Sequence, residues 1–236
     1  MIDVALLVAL CVVAYLVAAE GAWGAASTAV ACVIAGLVAT NAFEPLAETL
    51  GSSVASSYQW QNRWDVVAFL GLFAGGLTLL RLLAEKLQPT DLQVDAKTYE
   101  VVRWVGGAAA GYVVVMVLAV ALHLAPLGRS YAGFSPEPSR KMLVGAASPD
   151  YQWLGYAQRM SRTGLRTSDE AGRPVVFDGA TYRVSPQQQP AVFPDFPIRY
   201  AARRAEYADG TGTGGSARPR GLPNPNGRTR SRGKAF

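Results

Sequence analysis

Residues 4–19 read VALLVALCVVAYLVAA, an unbroken apolar run with no charge, closed by Glu20 and Gly21. A helix rising 1.5 Å per residue needs about 17–25 apolar residues to cross a hydrocarbon core about 30 Å thick, and this run with its flanks meets the lower bound. A cleavable leader would begin with positive charge, but the only charged side chain ahead of this core is Asp3, so cleavage is not expected. Three similar runs follow, at about 24–43, 64–83 and 105–124.

The interiors of these runs, residues 5–19, 25–42, 66–80 and 106–122, hold no Asp, Glu, Lys, Arg or His. Asp65, Arg81 and His123 fall at edges, where a side chain can reach the headgroups. Ionisable groups in the middle of a span mark ion or proton paths, so a proton-coupled transporter is not expected. Trp23, Trp60, Trp64 and Trp104 lie at run ends, where an indole buries its face and keeps its N–H in the headgroup layer. The short link around Glu20 predicts an antiparallel hairpin of the first two helices. The longer link 44–63 carries Leu46, Leu50 and Val54 at helical spacing and predicts a short helix in the interface.

Between helices in lipid there is little hydrophobic drive, so association depends on small side chains that let backbones approach. Gly71 with Gly75, and Gly107 with Gly111, have GxxxG spacing and are the candidate helix-packing residues. Thr40, Asn41, Thr78 and Tyr112 are the polar groups at depth, with helix-to-helix hydrogen bonds as their expected role.

Charge divides the chain. Residues 1–124 hold 5 basic and 9 acidic side chains, residues 125–236 hold 17 and 8. The expected fold class is therefore all-α: an integral membrane protein with about four transmembrane helices in 1–124 and a largely irregular basic C-terminal tail. Within the tail, 125–209 contains one convincing helix near 149–166, with Ser148 as N-cap and Pro149 in the first turn. It places Trp153, Leu154 and Met160 on one side, with Arg159, Arg162 and Arg166 elsewhere or at its C-terminal end. These six are the candidate lipid- or partner-binding residues. Packing against the protein's own membrane domain is the competing reading. Val175–Val184, with Asp178 and Gly179 between short runs, predicts a hairpin, and 198–207 a short helix. Residues 210–236 contain six basic side chains and no acid, which predicts a disordered end. No aromatic interrupts 210–235, so base stacking is unsupported and specific nucleic-acid binding is not expected.

Catalytic and metal motifs are missing. Cys11 and Cys32 lie within apolar runs, His123 is the single histidine, and there is no CxxC, so no metal is expected. GTGTGG at 210–215 lacks the strand and helix that frame a phosphate loop, and reads as a linker. Neither an enzyme nor a cofactor is expected.

Ile2-Asp3 before an apolar span, the Gly21 turn followed by Ala26, and Arg103 three before Gly106 at the entry to a small-residue fourth span resemble the colicin V production protein family over about residues 2–124. The family-matching residues are Ile2, Asp3, Gly21, Arg103 and Gly106. Two features depart from its pattern: Glu20-Gly21 stands where the family tends to have Arg-Gly, and Val113-Val114 where a second Arg-Gly occurs. The resemblance implies a multi-pass bacterial inner-membrane protein with an accessory or scaffold role in toxin (bacteriocin) production or secretion and in envelope maintenance. Its expected partners are the bilayer, a second copy through small-residue faces, an unidentified envelope or export protein, and anionic lipid at the tail. Two alternatives stand beside it: an oligomeric small-solute transporter or channel, and a membrane anchor presenting the basic tail. Basic residues near the spans number four on each side, so charge leaves the orientation open.

Overall fold

The computed structural model describes residues 2–54, 58–87, 95–127, 131–134, 141–143, 145–164, 167–168, 174–175, 177, 179–182, 191–194, 196–197 and 199–201. Four long helices form the body: α1 (Ile2–Ala19), α2 (Gly21–Ser53), α3 (Tyr58–Lys86) and α4 (Ala96–Leu124). Each contains a segment long and apolar enough to cross a membrane. Their outward surface is apolar, with Val4, Val8, Val12, Leu16, Val30, Val38, Val67 and Leu79 all exposed.

The helices stand in a row in the order α1, α4, α2, α3. The first two run antiparallel about their short turn, as expected, but pack less on each other than on α4. α1 and α2 are joined by a turn at Glu20, yet α1 packs chiefly on α4. The cause is the stripe of glycine on α4: a Cβ on Gly107 would come 2.5 Å from the Ala14 carbonyl oxygen, and one on Gly111 2.8 Å from that of Leu10. On another side of α4, a Cβ on Gly106 would lie 2.9 Å from the backbone of Ala25, which brings α2 equally close. α4 is thus the keystone, and the buried row Ala110, Val113, Val117, Val120 and Leu124 is its share of the core.

The turn requires glycine. Gly21 has φ +90°, and a Cβ there would also meet the Tyr99 hydroxyl at 2.7 Å. Beside it, Glu20 pairs with Arg81 Nη2 at 2.7 Å, tying the α1–α2 turn to the last part of α3.

α2 overturns the expected interfacial helix, because it runs unbroken through Pro45 to Ser53. Proline removes one helical N–H bond. Burial of Phe43 and Ala47 and packing of Leu46 and Leu50 against the core keep the segment helical despite that loss. At 33 residues α2 is about 50 Å long, well beyond a hydrocarbon core of about 30 Å. α4 extends the expected span backwards to Ala96, where the Asp95 carboxylate accepts from the Lys97 N–H at 3.2 Å.

The chain beyond α4 folds back onto the end of the body that holds the N-terminus. Turns at Tyr131–Phe134 and Met142–Ala147 lead to α5 (Pro149–Arg162). Pro149 occupies the first turn, but the Ser148 side chain makes no capping bond. Asp178 lies outside the described residues, and among those described the runs on either side of it do not pair with each other as the expected hairpin required. Instead β1 (Thr167–Ser168) pairs with β2 (Pro174–Val175), and β3 (Gly179–Tyr182) pairs with β4 (Ala191–Pro194), both antiparallel. Helical turns follow at Phe196 and at Arg199–Ala201, while 202–207 and 210–236 lie outside the described residues.

Candidate functional site

A buried polar cluster lies where α5 meets α2 and α4. Gly36 has no side chain on the face of α2 that looks toward Val117 of α4, and the Trp153 ring fills the space: a Cβ on Gly36 would lie 2.5 Å from the ring's Cζ2. The indole N–H donates to Thr40 Oγ1 at 2.9 Å, and the Thr40 hydroxyl donates in turn to the Gly36 carbonyl at 2.7 Å. One side chain therefore fills the notch and satisfies its own polar atom.

One turn earlier on α5, Asp150 sits opposite His123 of α4. His123 Nε2 lies 2.8 Å from Asp150 Oδ2, with the two side chains 0% and 3% exposed. The edges of Phe134, at 4.8 Å between ring centroids, and Phe196, at 6.4 Å, seal the imidazole. His123 Nδ1, Asp150 Oδ1 and Gln158 Nε2 are buried without a hydrogen-bond partner among the described residues. A buried charged or polar pair is costly to form and costlier to break, since removing one partner strands the other. In this conformation His123 meets no solvent, and the work of the pair is positional: it sets where α5 lies along α4.

Further contacts close the rim. The Tyr112 hydroxyl donates to the Gln152 carbonyl oxygen, and the Tyr131 hydroxyl to the Leu122 carbonyl at 2.6 Å. Glu44, next to Pro45, receives Arg199 at 2.7 Å and the Tyr200 hydroxyl at 3.3 Å. Phe43, Phe69, Phe196 and Tyr200 form an aromatic group behind them.

The residues singled out from the sequence are distributed unevenly. Gly107 and Gly111 face α1, as described above. A Cβ on Gly71 or on Gly75 would find nothing within 4 Å, so neither glycine makes a close helix contact among the described residues. Packing on α2 falls instead to Gly76, whose Cβ would touch Ala35 at 3.5 Å. Ile2 packs in the small cluster of Leu6, Phe134 and Met142. Arg103 pairs with Glu100 at 3.2 Å and lies over the Trp104 ring. The departure at position 20 has a local counterpart, since Glu20 is met by Arg81.

On α5, Trp153 and Leu154 are 1% and 0% exposed, which corrects the expectation that they face lipid or a partner: they pack on the body of their own chain. Met160 is half-buried against the same core, Arg159 is exposed, Arg162 is exposed at the helix end, and Arg166 lies outside the described residues. His123, expected at the interface, is fully buried. Thr40, Asn41 and Thr78 bond back to carbonyls four residues earlier, and of these Thr40 also accepts from another helix. The signal for the missed pair was present. Asp150 stands three and four residues before Trp153 and Leu154, on the same stripe, and an acid on an apolar stripe calls for a buried partner.

Four long apolar helices and an apolar outer surface define an all-α membrane protein. A family model described as colicin V production protein matches residues 2–137, more than half of the chain. The chain belongs to this family. Searches among curated proteins and among solved structures found no match.

Proposed function

We propose that this chain is a multi-pass protein of the bacterial inner membrane that serves as a non-enzymatic accessory or scaffold in bacteriocin production or secretion and in envelope maintenance. The observation that carries the reading is the family match over residues 2–137, which covers all four body helices. The packing supports it. The interfaces of α4 with α1 and α2 are glycine-to-backbone contacts, suited to a rigid body that presents its ends to other proteins. An envelope or export protein is the partner this reading requires.

The test is genetic and uses the full chain. A bacteriocin-secreting strain deleted for its own family member is complemented with this protein, and toxin in the medium and in the cells is measured. Restored release, together with restored resistance to detergent stress, is the expected outcome. Unchanged toxin release and detergent sensitivity, with the protein present in the inner-membrane fraction, would overturn the proposal.

A further inference from the structure

The groove between α2 and α4 that holds α5 has the features of a receptor site for an amphipathic helix. Its floor is the bare backbone at Gly36, its wall on the α4 side is Val117, and its polar anchors are Thr40 and His123. The occupant presents Asp150, Trp153, Leu154 and Ala157 on one stripe. The family match ends at residue 137, before α5 begins at Pro149, so the shared body does not include this occupant.

The attachment is also incompletely satisfied. His123 Nδ1, Asp150 Oδ1 and Gln158 Nε2 are all buried at or beside the contact without a partner among the described residues, and each such atom removes part of what docking gains. Thr40 has a second partner in the Gly36 carbonyl, so its hydroxyl is not stranded when the indole leaves.

From these features we infer that α5 is a displaceable strap: the α2–α4 groove is a helix-binding site whose resident occupant is the chain's own α5, and docked and released states exchange in the native protein. The inference stands independently of the proposed role in toxin production.

The experiment uses the full chain in dodecyl maltoside and a fluorescein-labelled peptide of residues 148–164, read by anisotropy. Asp150→Ala in the chain loosens its own strap, and the peptide should then bind at least about tenfold more tightly than to the native chain, a difference of about 1.4 kcal/mol. A peptide carrying Trp153→Ala should not bind. Equal affinity for the two chains, no binding to either, or equal binding of the two peptides would overturn the inference.

A second measurement covers the case in which the Asp150→Ala chain fails to fold. Val117→Cys, in a chain with Cys11→Ser and Cys32→Ala and native α5, is treated with a water-soluble maleimide. Labelling that excess peptide slows is the expected result. A thiol that reacts only after denaturation, or at a rate the peptide leaves unchanged, overturns exchange.

Discussion

Trp153 occupies the space that any side chain at Gly36 would need, with a Cβ there falling 2.5 Å from the indole ring. A residue on α5 and a residue in the second body helix are therefore mutually exclusive in volume. Gly36→Val should destabilise the protein by about 1–3 kcal/mol through overpacking. Trp153→Ala should relieve most of that penalty while carrying its own cavity cost, so a double-mutant cycle of denaturation in detergent should show strong coupling. Additive effects would mean that the two residues do not share the site.

The buried pair makes a different prediction. Asp150→Ala removes the carboxylate that meets His123, a side chain 0% exposed in the native fold, and breaking a buried pair costs about 3–5 kcal/mol. Replacing both partners, as His123→Phe with Asp150→Leu, should cost much less than Asp150→Ala alone. Thermal melting of the three chains compares them directly, and equal losses for the single and double changes would argue against the pair.

Glycines of identical spacing should behave differently. Gly107→Val and Gly111→Val push against the backbone of α1 and should each cost about 1–3 kcal/mol. Gly71→Ala and Gly75→Ala meet nothing within 4 Å and, by removing helical glycine, should gain up to about 1 kcal/mol each. Melting temperatures in one detergent would separate the two pairs, and similar losses at all four would show that α3 has a contact this fold does not contain.

At the α1–α2 turn, Gly21→Ala faces two obstacles, φ of +90° and the Tyr99 hydroxyl at 2.7 Å. Tyr99→Phe in the same chain removes the hydroxyl but leaves the backbone strain, about 1–2 kcal/mol for a left-handed residue. The expected result is partial recovery of the melting temperature. Full recovery would show that the contact alone imposes glycine.

The ion pair beside that turn should matter little. Glu20 and Arg81 are about a third exposed, so Glu20→Gln should change stability by no more than about 1 kcal/mol. The loss should shrink as salt is raised, and a larger, salt-independent loss would point to another role for the carboxylate.

What was legible in the sequence follows from one property, the length of uncharged apolar runs. Residues 4–19 and the three runs after them had to form helices, because backbone groups in hydrocarbon find hydrogen bonds only within a helix or a closed barrel. The charge split marked where the body ends, and the stripe on residues 150–160 marked α5. The order of the helices was not legible. Gly71–Gly75 and Gly107–Gly111 have the same spacing, yet only the second meets a neighbour, because which face of a helix turns inward depends on all the helices at once. The same holds for the docking of α5. Asp150 and His123 lie on different helices, as do Trp153 and the Gly36–Thr40 turn, and although the apolar stripe marked Asp150 as an acid in need of a buried partner, nothing local said which residue that partner was. Their pairing exists only because α4 and α2 run side by side, leaving between them a notch the width of an indole.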